Sequence, residues 1–258
     1  MRLRVFASGS KGNCLALRGA GQLFLVDLGL SCRELTRRMK ACGLSPEEVR
    51  GVFFTHDHSD HCSGVATFHK HFPEVPLYAN GNTADAIASV TGVEDGWCVF
   101  ETAEAFDVGG VSVTTFSVPH DAADTVGYLF GDGTSSLFVG TDMGVMTLPA
   151  KDALARATCA VLESNHDPEL LQRSERPVSL KQRIAGRSGH LANYQAADVI
   201  RELNPPNLRM LLLAHLSEQC NAPWLAREMM ERTLKDLGRV DIALTTLAQE
   251  TPSDLYEF

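Results

Sequence analysis

Three histidines and two aspartates lie within the seven residues Thr55–His61, which directly follow a short apolar run. Such a run predicts the end of a buried strand, so the polar stretch is expected to be a loop at that strand end. Alternate residues of extended backbone point the same way, so His56 and His58 can reach one metal ion. Asp60 and His61 then turn away at the start of the next helix and can reach a second ion. Imidazole and carboxylate ligands suit zinc, and further oxygen ligands admit manganese or iron. The alternative, a solvated polar loop, is disfavoured by this spacing.

Length and composition indicate one globular unit. The 258 residues, 44% of them hydrophobic, are enough for a sizeable core, and we expect a single domain over residues 1–258. The N-terminus reaches Ser8-Gly9-Ser10 too soon for a signal peptide, and no apolar run has membrane-spanning length. The seven cysteines are odd in number and never form a C-x-x-C pair, which favours free thiols. These features predict a cytoplasmic protein without a membrane partner.

The formal net charge of −9 argues mildly against a nucleic-acid-binding surface. It does not exclude one, because an enzyme that releases its substrate needs only a small basic patch. Two predicted helices carry candidate patches: Arg33, Arg37, Arg38 and Lys40 on one, and Lys181, Arg183 and Arg187 on the other. A solvated helix face is the favoured reading of each cluster.

Three later polar residues, His120, Asp142 and His215, each follow a predicted strand directly. Loops at one edge of a sheet sandwich converge, so residues distant in sequence can share a site. We assign His56, His58 and His120 to one ion and Asp60, His61 and His215 to a second, with Asp142 bridging. Two such ions are expected about 3.5–4 Å apart. Taken alone, each later residue could instead be a hydrogen-bonded loop histidine or a capping aspartate.

A glycine-rich turn, Ser8–Asn13, interrupts the first predicted hairpin. Its glycines allow close backbone approach, and free N–H groups beside Ser10 and Asn13 could hold a phosphate. An ordinary tight hairpin explains the turn equally well. Asp27, at the end of the following strand, could orient a ligand histidine or could cap a helix.

The remaining chain alternates apolar strands with helices. Predicted helices include residues 63–72, which place His69 and His71 at the surface, and residues 82–90, 178–185, 191–203 and 223–237. Strands first, and then strands mixed with helices in each half, predict an α/β protein with two facing sheets and helices outside.

Together these motifs resemble the metallo-β-lactamase superfamily over nearly the whole chain. The resemblance implies a four-layer αβ/βα metallo-β-lactamase sandwich with two divalent metal ions at one edge. Asp142 stands where true β-lactamases carry a cysteine ligand, which argues against antibiotic hydrolysis. The segment between Asp142 and His215 is too short for the domain inserted in the β-CASP nucleases.

Three further stretches resemble the WalJ/YycJ-like exonuclease family: Ser8–Asn13, Glu163–Asp167 and Gly189–Asn193. His215-Leu216-Ser217 with Asn221 completes that pattern, and Ala192 departs from it, since serine is expected there. The resemblance implies a metal-dependent phosphodiesterase or nuclease, specifically a 5′-to-3′ exonuclease, with DNA favoured over RNA as the substrate.

A mechanism follows for a phosphodiester substrate. Two bound cations make hydroxide available near neutral pH for in-line attack on phosphorus, and Asp60 would orient the nucleophile as well as bind metal. His190 resembles the general-acid histidine of tRNA 3′-processing endonucleases and would protonate the leaving oxygen. Asn165 and His166 are expected to hold a phosphate or a chain end. The alternative for His166 and His190 is a hydrogen-bonded structural turn.

Two other functions are compatible with the motifs. The same metal loop serves glyoxalase-type enzymes, so a small-molecule hydrolase of thioesters, lactones or cyclic phosphates is the alternative. A non-catalytic, metal-stabilised scaffold is disfavoured by the complete ligand set. The sequence leaves open the physiological metal, the strandedness of the substrate and the oligomeric state.

Overall fold

The computed structural model describes residues 1–258 and contains fourteen strands in two seven-stranded sheets. In chain order the strands are β1 (Arg2–Ala7), β2 (Cys14–Gly19), β3 (Gln22–Val26), β4 (Val49–Phe53), β5 (Leu77–Asn80), β6 (Trp97–Phe100), β7 (Ala105–Val108), β8 (Val111–Ser117), β9 (Val126–Gly131), β10 (Ser136–Gly140), β11 (Cys159–Glu163), β12 (Met210–Ala214), β13 (Ala243–Thr246) and β14 (Tyr256–Glu257). The first sheet has the spatial order β14-β1-β2-β3-β4-β5-β6, and the second has the order β13-β12-β11-β10-β9-β8-β7.

Both sheets are half antiparallel and half parallel. β1, β2 and β3 form an antiparallel meander, and β3 to β6 run parallel. In the second sheet β7 to β10 form the antiparallel part, and β10 to β13 run parallel. The carboxyl ends of parallel strands meet at one edge of a sheet, which is where open α/β sheets place their binding sites.

Successive side chains of each strand point to opposite faces of its sheet. One face lies in the core between the two sheets, and the other lies in a core between that sheet and its helices. Phe24 and Val26 of β3 pack with residues of the second sheet such as Tyr128 and Phe130, which fills the space between the sheets. Leu23 and Leu25 of the same strand point to the opposite side and pack against helices. This alternation is what a strand covered on both faces requires.

The structure contains nine α-helices. In chain order they are α1 (Cys32–Ala41), α2 (Ser59–Cys62), α3 (Val65–His71), α4 (Gly81–Thr91), α5 (Leu148–Ala155), α6 (Pro168–Arg173), α7 (Val178–Ile184), α8 (Asn193–Leu203) and α9 (Pro223–Asp236). Residues of α1, α3 and α4 pack on the first sheet, and residues of α5, α8 and α9 pack on the second. The four layers of the predicted αβ/βα sandwich are therefore confirmed. None of the helices combines the length and the hydrophobicity needed to cross a membrane.

The element boundaries differ from the sequence prediction in a few places. The predicted helix 63–72 is shorter, since α3 begins at Val65 and ends at His71. A separate turn of helix, α2, precedes it. No element was assigned to residues 105–108 or 148–155, which form β7 and α5. The strand β7 has no buried residue, so the sequence contains no apolar run that would predict it. Helix α5 did have a signal, since Thr147 caps it and a proline occupies its first turn.

Candidate metal centre

The histidine-rich loop, Thr55–His61, lies across the carboxyl ends of β3 and β4. His58 has extended backbone and is the N-cap of α2, so the next residues turn toward a different side from His58 itself. The loop packs tightly on the glycine-rich turn, where the Asn13 N–H donates to the backbone oxygen of Asp60 at 2.7 Å. Gly29 permits this approach, because a Cβ there would lie 1.7 Å from that oxygen.

The structure brings His56, His58 and His120 together, with one ring nitrogen of each within 4.8 Å of the others. Nδ1 of His58 lies 3.2 Å from Nε2 of His120. Nδ1 of His56 lies 3.0 Å from the Thr55 hydroxyl, whereas its Nε2 is buried without a hydrogen-bond partner. Burial lowers the pKa of His56 well below its ordinary value, and the neighbouring His61 adds to the effect. The ring is therefore neutral, and a lone pair is available toward this cluster.

Asp60, His61 and His215 form a second cluster, again with potential ligand atoms within 4.8 Å. Oδ2 of Asp60 lies 3.6 Å from Nε2 of His61 and 3.6 Å from Nε2 of His215. Nε2 of His215 is buried and has no hydrogen-bond partner. These atoms face one another in the same way as those of the first cluster.

Asp142 lies between the two clusters. Its Oδ2 is 3.1 Å from Nε2 of His61, and its carboxylate also groups with His56. Oδ2 is nevertheless buried without a hydrogen bond of acceptable geometry. Burial would raise the pKa of Asp142, but His215 and His61 outweigh it and hold that pKa well below the ordinary value. The bridging role of Asp142 stays a prediction, and its carboxylate lies within reach of ligand atoms from both clusters.

Asp27 contacts the ligand cluster through His61. Its Oδ2 lies 2.8 Å from Nδ1 of His61, and its Oδ1 accepts a hydrogen bond from the Thr55 N–H at 2.8 Å. The helix-cap alternative does not describe it, because Ser31 is the N-cap of α1. With Nδ1 of His61 held by a carboxylate, Nε2 points to the cluster.

Three of these residues have backbone in the left-handed region: Asp27 with φ 62°, Asp142 with φ 57° and His215 with φ 55°. Each is the first or second residue after a strand end, and all three are buried. A side chain there costs of order 1–3 kcal/mol in backbone strain. The strain coincides with the site, where it turns the side chains back over the strand ends.

Glu163 is the residue that the sequence analysis quoted but gave no role. Its side chain is fully buried, and its carboxylate makes four polar contacts. Oε1 lies 2.8 Å from Nδ1 of His190 and 3.1 Å from Nδ1 of His215. Oε2 accepts hydrogen bonds from the N–H groups of Met143, at 2.7 Å, and Leu191, at 3.1 Å. The available signal was a carboxylate at the end of an apolar strand, since Glu163 is the last residue of β11.

His190 lies at the rim of the clusters, where its side chain is 21% exposed. Its ring centre is 5.2 Å from that of His120 and 5.3 Å from that of His215. Burial would lower the pKa of His190, but the Glu163 carboxylate outweighs it and raises that pKa above the ordinary value. A protonated ring at this rim can donate a proton outward.

The predicted phosphate-binding residues are not gathered in one place. Ser10 is exposed at the tip of the glycine-rich turn. The Asn13 amide nitrogen lies 2.9 Å from Nε2 of His61, inside the second cluster. The Asn165 amide donates to the backbone oxygen of His215 at 2.8 Å. His166 lines a separate cavity.

Other charged candidates lie outside the clusters. His71 is exposed, as the sequence predicted. His69 pairs with Asp95 at 2.9 Å, but its side chain is only 11% exposed, so the predicted surface position is wrong for this residue. Arg38, from the first basic cluster, is buried and donates to the backbone oxygen of Phe6 at 2.6 Å. Arg38 therefore belongs to the structural framework rather than to a basic patch.

The chemistry of the two clusters fits divalent metal ions. Burial by itself would lower the pKa of both His61 and His215. At His61 the carboxylates of Asp27 and Asp142 outweigh this effect. At His215 the carboxylate of Asp142 outweighs it. The pKa of His61 is raised well above its ordinary value, and that of His215 is raised to about 10. The second cluster thus favours positive charge, and the first offers neutral imidazoles. Three buried polar atoms facing these clusters, on His56, Asp142 and His215, lack protein partners. Unpaired buried donor atoms of this kind are what a metal ion satisfies.

Known families and proteins resemble this chain over most of its length. The family model described as beta-lactamase superfamily domain matches residues 23–216, which is more than half of the chain. The exodeoxyribonuclease YycJ of Bacillus anthracis is 33% identical over 240 residues, covering 92% of this chain and 90% of that protein. The exodeoxyribonuclease WalJ of Streptococcus pneumoniae (strain D39) is 31% identical over 260 residues, covering 98% and 96%.

Among solved structures, the metallo-beta-lactamase fold protein YhfI from Bacillus subtilis superposes with a TM-score of 0.72. Its sequence identity is 14%, and the match covers 100% of both chains. This likeness concerns the fold, whereas the full-length sequence similarity to YycJ and WalJ identifies the family.

Proposed function

This chain belongs to the beta-lactamase superfamily and, within it, to the family of the exodeoxyribonucleases YycJ and WalJ, and from that premise we propose that it is a metal-dependent exonuclease of DNA. The observation that carries the proposal is the pair formed by Glu163 and His190 at the rim of the ligand clusters. Cleaving a phosphodiester expels a poor leaving group, an alkoxide, which needs a proton, and this pair holds a proton donor where the product would leave.

The ligand clusters would hold two divalent ions. His56, His58 and His120 would hold one, and Asp60, His61 and His215 the other, with Asp142 between them. Zinc or manganese suits this mixture of imidazole and carboxylate, and iron is compatible with it. Such ions, when bound, would supply hydroxide near neutral pH and would neutralise charge on the phosphate oxygens.

The chain's own residues complete the reaction. Asp60 has a side chain 22% exposed at the cluster surface, where a carboxylate oxygen can accept a hydrogen bond from the attacking nucleophile and fix its direction. His190 donates its proton from Nε2 to the leaving oxygen, because Nδ1 is held by Glu163. Glu163 stays ionised, since the neighbouring histidines outweigh the effect of burial and lower its pKa to about 2. It therefore stabilises the positive charge of His190 before the transfer.

Substrate positioning falls to the loops around the clusters. Ser10 is exposed, and no protein group bonds to its hydroxyl, so it can donate to a phosphate at the entrance. We propose Asn13 and Asn165, whose amides lie beside His61 and His215, for the same role nearer the metals. His166 would contact the end of the substrate strand.

The seven cysteines are all unpaired, which supports a reducing compartment and hence the cytoplasm as the site of action. The digestion direction, 5′ to 3′, rests on the resemblance of the motifs to the exonuclease family.

The test is turnover of purified, manganese-loaded protein on single- and double-stranded DNA and RNA labelled at one end. Progressive shortening of DNA from the 5′ end supports the proposal, and shortening from the 3′ end corrects its direction. A thioester and a lactone are run alongside. Hydrolysis of either without cleavage of nucleic acid would reassign the protein to the small-molecule hydrolases.

A further inference from the structure

A cavity of about 460 Å³ adjoins the metal-binding edge, between helices α6 and α7 and the start of α8. Its size is within the range of small-molecule binding pockets. Its polar lining comes from His166, Gln172, Lys181, Gln182, Tyr194 and Gln195. None of these residues belongs to the two ligand clusters, so the cavity is a separate feature of the surface.

His166 is the unusual member of the lining. The residue is only 2% exposed, and its Nδ1 is buried without a hydrogen-bond partner. Leaving a buried polar group unpaired costs about 1–3 kcal/mol, so such groups generally have a ligand or water partner. Burial lowers the pKa of His166 to about 4, so the ring is neutral near pH 7 and offers one donor and one acceptor.

The other lining groups indicate the class of ligand. Lys181 is the one cation of the lining, and its Nζ already donates to the backbone oxygen of Gln172 at 2.7 Å. A phosphate group would need more positive charge than this. Two glutamine amides, a glutamine whose oxygen already accepts from the Ala192 N–H, and a neutral imidazole line the cavity together with apolar residues such as Leu171. Such a lining suits an uncharged planar group with donors and acceptors. The Tyr194 ring, 47% exposed, can stack on such a group.

The position of the cavity relates it to the proposed reaction. His166 is three residues after Glu163, and three extended residues span at most about 11 Å. A backbone bridge joins His166 to Ala192, two residues after His190. The cavity therefore lies within reach of the nucleotide next to the cleaved bond.

We propose that this cavity binds the nucleobase of the terminal nucleotide of the substrate strand, with His166 hydrogen-bonding to the base and Tyr194 stacking on it. This inference rests on the proposed nuclease function and deepens it. It assigns the terminal base, rather than a terminal phosphate, to His166.

The first test does not depend on activity. Protein with ¹³C-labelled histidine is titrated with deoxyadenosine, and separately with inorganic phosphate, while the His166 ring signal is followed by NMR. The expected result is a saturable shift with the nucleoside and none with phosphate. A shift with phosphate alone, or with neither probe, overturns the proposal, whatever the outcome of the nuclease assay.

The second test uses kinetics and variants that should fold normally. DNA oligonucleotides carry either a normal or an abasic terminal nucleotide, and kcat/KM is measured for both. The wild type should prefer the normal end by about 10-fold, a magnitude within that of one base–aromatic stack. Tyr194→Ala should remove most of this preference by lowering kcat/KM on the normal end.

Two matched variants serve as controls. Tyr194→Phe keeps the ring and should keep the preference. Trp224→Ala removes an exposed aromatic residue of α9 that does not line the cavity, and should also keep it. An unchanged preference in Tyr194→Ala would overturn the stacking assignment, whereas absence of cleavage of both oligonucleotides by the wild type would instead contradict the nuclease proposal.

Discussion

The carboxylate of Glu163 lies 2.8 Å from Nδ1 of His190. An ionised carboxylate can only accept hydrogen bonds, so Nδ1 of this ring carries the hydrogen and Nε2 is the atom that exchanges protons with a substrate. The same carboxylate lies 3.1 Å from Nδ1 of His215. One buried acid thus orients both a proposed metal ligand and the proposed proton donor.

Replacing His190 by alanine should separate proton donation from metal binding. Turnover of DNA is expected to fall by about 10²-fold or more, since the leaving alkoxide then departs without its proton. Turnover of bis(4-nitrophenyl) phosphate should change little, because nitrophenolate is stable without a proton. Both rates are measured on protein with a matched metal content, and His71→Ala, at an exposed position outside the clusters, is the control. Equal losses on the two substrates would remove His190 from the role of acid.

Glu163→Gln should behave differently from the His190 variant. Glutamine keeps an acceptor but loses the charge that stabilises His190 and orients His215. Loss of such an orienting contact typically weakens metal binding by about 10- to 100-fold. Both DNA and bis(4-nitrophenyl) phosphate turnover should therefore fall, and added metal should restore the nitrophenyl reaction more than the DNA reaction. A variant with wild-type metal affinity and full activity on DNA would contradict the dual role.

The fold was largely predictable because its signals are local. Apolar strands such as β12 and capped helices such as α6 are defined by a few consecutive residues. A continuous apolar run such as that of β12 already implies a strand covered on both faces. The strand β7 escaped prediction because it is stabilised by pairing with β8 rather than by burial of its own side chains.

The site was predictable only in part, for a physical reason. His56, His58, Asp60 and His61 are adjacent in sequence, so their spacing carries the information. The contact of Glu163 with His190 joins residues 27 positions apart, and nothing in either local sequence states that they meet. The same is true of the cavity beside His166, which exists only once α6, α7 and α8 have packed.

The ion pairs of α1 make a prediction about pH and stability. Glu34 accepts hydrogen bonds from Arg37 and from the buried Arg38, and these bonds lower its pKa from an ordinary value near 4.5 to about 2. A lowered folded-state pKa means a contribution that is complete above pH 4.5 and is lost as the pH falls toward 2. Glu34→Gln should cost about 1 kcal/mol at pH 7, less than the shift alone implies because solvent screens the pair.

This difference should shrink as the pH falls from 4.5 to 2. It is measured by urea unfolding of metal-depleted wild type and variant across that range. Glu169→Gln, in an exposed pair with Arg173, is the control and should unfold with wild-type stability. A constant gap between Glu34→Gln and the wild type at every pH would contradict the ionic origin.

Asp27→Asn should affect the second metal cluster before the first. Asp27 contacts His61 at 2.8 Å, whereas none of its hydrogen bonds goes to His58 or His120. An asparagine in its place holds Nδ1 of His61 less firmly than the carboxylate does. If the amide nitrogen of the asparagine faces the ring, it favours the tautomer that carries its hydrogen on Nε2. The metal affinity of the second cluster should therefore fall by about 10- to 100-fold. Metal titration should then resolve one tight and one weak ion in the variant, against two tight ions in the wild type. Asp95→Asn, which removes the surface partner of His69, should leave both ions tightly bound. Equal weakening of both ions in Asp27→Asn would show that the clusters do not bind metal separately, and a single ion in the wild type would contradict the dinuclear assignment itself.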